Sequence, residues 1–219
     1  MPKVKMPRKS TSVDMTAMCD VAFLLLSFFI LTTKFKSNES VDVVTPKSVS
    51  TKPVVDKNLV QVIMDKEGKI YFTVSDDNTA EKQEIIDMID ETKQLGLTSK
   101  EKSAFIKAGS YVGVSFAQLK SYLDLTADQV KHFNAPGIPI DTVDNQLALW
   151  MTATSHAFQG KTMSLVVKGD NNAKFPAFKG VINAFKKNEI FKFSMITDPE
   201  GVPDGTALAA KRAVGAKED

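Results

Sequence analysis

Met15-Thr16-Ala17-Met18-Cys19-Asp20-Val21-Ala22-Phe23-Leu24-Leu25-Leu26-Ser27-Phe28-Phe29-Ile30-Leu31-Thr32-Thr33 is an apolar run bounded by Asp14 and Lys34. As a helix it measures about 28 Å at about 1.5 Å per residue, close to the roughly 30 Å hydrocarbon core of a bilayer. The pattern predicts a single N-terminal transmembrane helix over 14–33. Its one internal charge is Asp20. A carboxylate at membrane depth costs about 3 kcal/mol or more, so it needs a partner or a task. At 100° per residue Thr16, Asp20 and Ser27 fall within about 40° of one another, while Leu25, Phe28 and Phe29 point elsewhere. Thr16 and Ser27 are expected to support Asp20 by hydrogen-bonding its carboxyl or a water chain beside it. Low-dielectric surroundings favour the neutral form of a carboxyl, and a carboxyl that alternates between its two forms is what a proton relay requires.

Two other readings compete for this stretch. Asp20 could merely cap a helix from Val21 to Thr33, which is short for crossing. Val21–Leu31 also has the length of a signal-peptide apolar region. Twenty residues with two aspartates precede it, however, and Thr32-Thr33-Lys34-Phe35 is a poor cleavage site.

A short basic N-terminus, then Val13-Asp14-Met15-Thr16-Ala17-Met18-Cys19-Asp20-Val21, then a Leu/Phe-rich span, resembles the ExbD/TolR family of single-pass inner-membrane motor subunits. The family pattern is Asn-x-Thr-Pro-x-x-Asp-Val, with the last Asp proton-coupled. By position Thr16 matches the Thr and Asp20 the proton-coupled Asp; Asp14 replaces the Asn and Ala17 the Pro. The resemblance implies a motor subunit driven by proton-motive force, energising TonB-dependent outer-membrane transport. It implies an ExbB/TolQ-like multi-helix oligomer surrounding a dimer of this protein, and a TonB-like partner. The alternative is a membrane-anchored periplasmic binding or scaffold domain without proton coupling.

Composition sets bounds on these readings. The 219 residues carry a net charge of +2, 43% hydrophobic and 25% charged residues. That is room for one span and one domain with a real core, and it argues against a dedicated nucleic-acid binder. Cys19, the one cysteine, lies in the span, so the outer part carries no thiol and is indifferent to redox compartment. Residues 1–13 hold Lys3, Lys5, Arg8 and Lys9 without an acid, a cytoplasmic arm by the positive-inside rule. The rest of the chain is then expected in the periplasm.

Residues 34–58 read as an extended linker, rich in Ser, Thr, Val and Lys with Pro46 and Pro53. Within it Val41-Asp42-Val43-Val44-Thr45-Pro46 alternates like a strand and stops at proline. It resembles the family's extended segment ending in Leu-Pro, so Val41, Val43 and Pro46 mark a candidate pairing segment for a second copy or a partner. Plain linker is the other reading.

An α+β domain is expected over 59–197. Leu59–Met64 and Lys69–Val74 read as a hairpin around Asp65-Lys66-Glu67-Gly68. A helix comes next, from a capping box at Asn78/Glu81 to Gly96. Thr162–Lys168 reads as a strand. Pro176 suits the first turn of a helix carrying Phe178, Val181, Ile182 and Phe185, and Ile190–Thr197 alternates as a last strand. The expected order is β-β-α, insertion, β-α-β in two layers. The run Leu165-Val166-Val167-Lys168-Gly169-Asp170, with the helix and the alternating strand after it, is similar to the family's periplasmic domain. The insertion, about 97–160, reads as helices with capping signals at Thr98/Glu101, Ser115/Gln118 and Thr126/Gln129, and Leu147 and Trp150 are expected to pack on the core. Residues 198–219 read as a flexible tail.

No catalytic constellation converges, so no enzyme, metal or cofactor is expected. Gly160-Lys161-Thr162 has Ser155 where a phosphate loop needs Gly. His132 and His156 have no cysteine near them, and the adjacent side chains of Ser155 and His156 diverge. Lys168-Gly169-Asp170 reads as a turn ending a strand.

Overall fold

The computed structural model describes residues 15–32, 41, 43–49, 57–107, 109, 111–141, 143–203, 205–207 and 209. The basic arm, most of the expected linker and the last ten residues lie outside these. The chain divides into two compact units, Met1–Asn38 and Glu39–Asp219. The first holds helix α1 (Met15–Thr32). The second begins with β1 (Lys47–Ser48) and the hairpin β2 (Leu59–Met64) and β3 (Ile70–Val74).

The hairpin turn has a local cause. Gly68 N–H donates to Asp65 O at 3.0 Å, and Gly68 takes φ +86, a region open to glycine without cost. The Asp65 carboxylate accepts from the Glu67 and Lys69 N–H groups, both at 2.9 Å, fixing the turn from inside. β2 then alternates half-buried and buried residues, as one covered face demands.

Helix α2 (Thr79–Lys93) is the next element. Here two expectations are corrected. Asn78 makes no side-chain cap; its amide donates to Asn58 Oδ1 at 3.0 Å instead. Gln94, before Gly96, already takes the left-handed position that ends the helix. The insertion comprises α3 (Ser99–Ile106), α4 (Phe116–Leu123), α5 (Ala127–His132) and α6 (Gln146–Ala157). Capping boxes form at Thr98/Glu101 and Thr126/Gln129. At Ser115 none forms: the Gln118 N–H bonds the Ser115 carbonyl at 3.0 Å, and the Ser115 hydroxyl donates to Gln118 Oε1 at 3.4 Å.

Then come β4 (Ser164–Gly169), α7 (Phe175–Lys187), β5 (Ser194–Met195) and β6 (Asp198–Pro199). The main sheet has order β3-β2-β4-β5, with β2–β3 antiparallel and the other pairs parallel. The last strand is far shorter than Ile190–Thr197. Phe191 and Phe193 alternate as a strand would, but only Ser194 and Met195 form the strand, opposite Val166 and Val167, with Ile196 N–H donating to Val167 O at 2.9 Å.

Val60, Val62, Phe72, Leu165 and Val167 from the sheet join Ile85, Ile86, Ile89, Leu147, Trp150, Met151, Val181 and Phe185 from the helices in one buried cluster. Helix α6 packs on both α2 and α7 and is the middle of the helical layer. Its Trp150 is fully buried between Phe105 and Phe116, each centred 5.7 Å away, with Phe72 at 5.3 Å. Each such ring pair adds about 0.5–1.5 kcal/mol beyond area burial. The architecture is the two-layer α+β arrangement expected, with the insertion built into its centre.

Candidate functional site

Helix α1 is long and apolar enough to cross a membrane, and no other helix among the described residues is. None of its residues is buried; Ser27 alone is half-buried. An apolar helix this bare within its own chain has to find cover elsewhere. Asp20 is exposed on it, with Thr16 one turn before it and Ser27 two turns after, on the same stripe. Asp20 and Ser27 stand about 10 Å apart along the axis, too far for a direct hydrogen bond. The Ser27 hydroxyl donates to Leu24 O at 2.9 Å, and the Thr32 hydroxyl to Phe28 O at 2.7 Å. Ser27 is therefore left as an acceptor. The three residues share a face, and a bridge from Asp20 to Ser27 would need water or another chain.

The candidate pairing segment is placed on the second unit. Val41 is half-buried and packs on the core, Thr45 is buried, and Val43 and Pro46 are half-buried. Val44 N–H donates to Asp170 Oδ2 at 2.9 Å, and Asn171 N–H returns a bond to Val44 O at 2.8 Å. Pro46 O accepts from Asp198 N–H and Ser48 O from Glu200 N–H, both at 2.9 Å. Contrary to the expected strand ending at Pro46, residues 43–46 are not themselves a strand, and the strand begins after the proline, as β1, which pairs in parallel with β6 of the same chain. The start of the expected tail is a strand because β1 supplies its acceptors.

Asp170 is the residue that sequence reasoning missed. It was legible only as a turn after β4. Its Oδ1 also accepts Asn172 N–H at 2.8 Å, an Asx turn that leaves Oδ2 aimed at Val44. The Asn172 and Val44 N–H groups hold the Asp170 carboxyl below its ordinary range. The signal was Asp170-Asn171-Asn172 itself; its partner, 126 residues away, was not visible.

Other singled-out residues are placed elsewhere. Lys161 pairs with Glu81, and that ammonium holds the buried Glu81 carboxyl below its ordinary range. His156 Nδ1 lies 2.9 Å from Glu84 Oε1 on the surface, and His132 ends α5. Among the described residues no three His, Cys, Asp or Glu gather as metal ligands would.

The family model described as Biopolymer transport protein ExbD/TolR matches residues 6–200, from the basic arm through β6. No curated protein and no solved structure matches the chain.

Proposed function

The chain belongs to the ExbD/TolR family of biopolymer transport proteins, and from that premise we propose that Asp20 is the proton-coupled residue of a motor in the inner membrane. In this reading the protein is the single-pass subunit of an ExbB–ExbD-type complex, driven by proton-motive force, that energises TonB-dependent outer-membrane transport. The observation that carries it is one carboxylate on a bare apolar helix of membrane length, sharing a stripe with Thr16 and Ser27.

The physics then sets the partners. One charge moved across 100 mV gains about 2.3 kcal/mol, so a sizeable rearrangement needs several protons. A single helix cannot enclose a proton path. Asp20 therefore faces an ExbB/TolQ-like multi-helix oligomer, which surrounds two copies of this chain. The arm with Lys3, Lys5, Arg8 and Lys9 lies in the cytoplasm and the α+β domain in the periplasm. Work passes outward through the segment that reaches Asp170 and β6, and on to a TonB-like protein. Val41, Val43 and Pro46 belong to the segment proposed to pair with a second copy or that partner. Its bonds within the chain make such pairing an exchange of hydrogen bonds, not an addition.

Asp20→Asn tests the assignment, because it keeps size and polarity but removes the titrating group. Energy-dependent transport should fall to background while membrane insertion and outer-domain folding stay intact. Normal transport by this variant would leave an anchored periplasmic scaffold as the function.

A further inference from the structure

Helix α7 is covered on one side only. Gly180, Val181, Ala184 and Phe185 are buried, while the exposed Phe175, Lys179 and Lys186 share the opposite stripe with Ile182, which is half-buried against the core. Phe175 is 72% exposed, and Phe191, just beyond the helix, is 74% exposed. Single exposed apolar residues are ordinary, but Phe175 shares its stripe with Lys179 and Lys186, and Phe191 stands bare beside Lys192 past the end of the helix. Lys174, Lys179, Lys186, Lys187 and Lys192 are all exposed, and the one acid between Lys174 and Lys192 is the exposed Glu189. None of the five has an ion pair among the described residues. The face thus combines cationic heads with aromatic bodies, the pairing that suits a lipid headgroup layer.

Connectivity says which surface is within reach. The turn that leads into α7 is the one bonded to Val44, itself 66% exposed. Between Thr32, where α1 ends, and Val44 lie twelve peptide steps, which reach at most about 40 Å in any arrangement. Any bilayer that α1 crosses is therefore within tether length of the second unit, which raises its effective concentration there.

We propose that the face of α7 from Lys174 to Lys192 docks on the anionic phospholipid surface of the bilayer that anchors α1. The lysine ammoniums meet headgroup phosphates, and the Phe175 and Phe191 rings enter the boundary between headgroups and acyl chains. The domain is then parked on the membrane until the segment at Val44 is pulled. This inference rests on α1 being a membrane span.

The test uses the full chain carrying Cys19→Ser and Asn172→Cys, labelled with an environment-sensitive fluorophore and placed in nanodiscs. Discs of phosphatidylcholine alone are compared with discs that also contain phosphatidylglycerol. Emission should shift to the blue only with phosphatidylglycerol, and high salt should reverse the shift. A control label at Glu91→Cys, on α2, should not respond. Lys179→Glu and Lys186→Glu should each weaken docking about fivefold or more, and Phe175→Ser should reduce the shift without changing its salt dependence. Equal emission in the two lipids, or indifference to both lysine reversals, overturns the proposal. So does a response to soluble peptidoglycan fragments alone, which would assign the face to the cell wall. Co-elution of the chain with the discs reports the anchoring of α1 separately: a chain that co-elutes without a shift sinks only the docking.

Discussion

Asp170 does with one side chain what the linker cannot do for itself. An extended segment has no hydrogen bonds of its own, so its place depends on whatever it meets. Two N–H groups, from Asn172 and Val44, converge on the Asp170 carboxyl and hold it below its ordinary range. A carboxyl depressed in the folded state stabilises that state above its unfolded value, about 3.9, and the contribution is lost as pH falls through the depressed value. The tether of Val44 should therefore hold at neutral pH and loosen in acid. Hydrogen exchange at Val44, corrected for its intrinsic pH dependence, should quicken below about pH 4. Asp170→Ala should show fast exchange across the whole range. A Val44 amide equally protected in the variant would mean that the pairing of β1 with β6 alone fixes the segment.

At the scale of elements, the insertion closes an edge of the sheet. Phe72 and Val112 exchange both backbone bonds at 2.8 Å, Ile138 N–H donates to Ile70 O at 2.8 Å, and Gly137 N–H to Gly113 O at 2.7 Å. The outer side of β3 is thereby covered, the usual protection of an edge that would otherwise add strands from other chains. Close approach is possible because Gly113 has no side chain: a Cβ there would lie 2.2 Å from the Tyr71 ring. Gly113→Ala should cost about 1–3 kcal/mol, the range for overpacking a filled site, read as a lower urea midpoint with Tyr71 displaced. An unchanged midpoint would mean that the 111–114 strip yields without loss.

What the sequence made legible was local. The hairpin, α7 with its proline and the boxes at Thr98 and Thr126 were readable because their causes lie within a few residues. Asn78 and Ser115 carried the same signals, but the Asn78 amide turned to Asn58, and the Gln118 N–H took the Ser115 carbonyl instead of its hydroxyl. The central place of α6 was hidden, since Leu147 and Trp150 announce a buried face without naming its neighbours. The pairing of β1 with β6 was hidden too. It joins Lys47 to Asp198 through two-residue strands, and no periodicity extends over so short a span. On α1 the stripe was readable from spacing, while the bond from Ser27 to Leu24 was not.

For the whole molecule, the question is how many copies the bare helix α1 needs. A narrow stripe carrying Thr16, Asp20 and Ser27 is costly against lipid. Two such stripes placed against each other would bring like carboxylates together, which disfavours ionising both. On the proposed reading, the arrangement that avoids both costs has two α1 helices side by side, each with its Asp20 turned outward to a surrounding ring of partner helices. The apolar side, Leu25 and Phe29 included, then forms the contact between copies, and a two-fold axis makes the two contacts equivalent. Single cysteines along residues 16–31 in a Cys19→Ser background would map this by disulfide formation. Self-crosslinks should rise at Leu25 and Phe29 and fall at Thr16 and Ser27, while crosslinks to a partner protein should show the reverse. If Thr16 and Ser27 crosslink chiefly to their own copies, the two carboxyls face each other, and proton transfer would have to run between the α1 helices instead of through the ring.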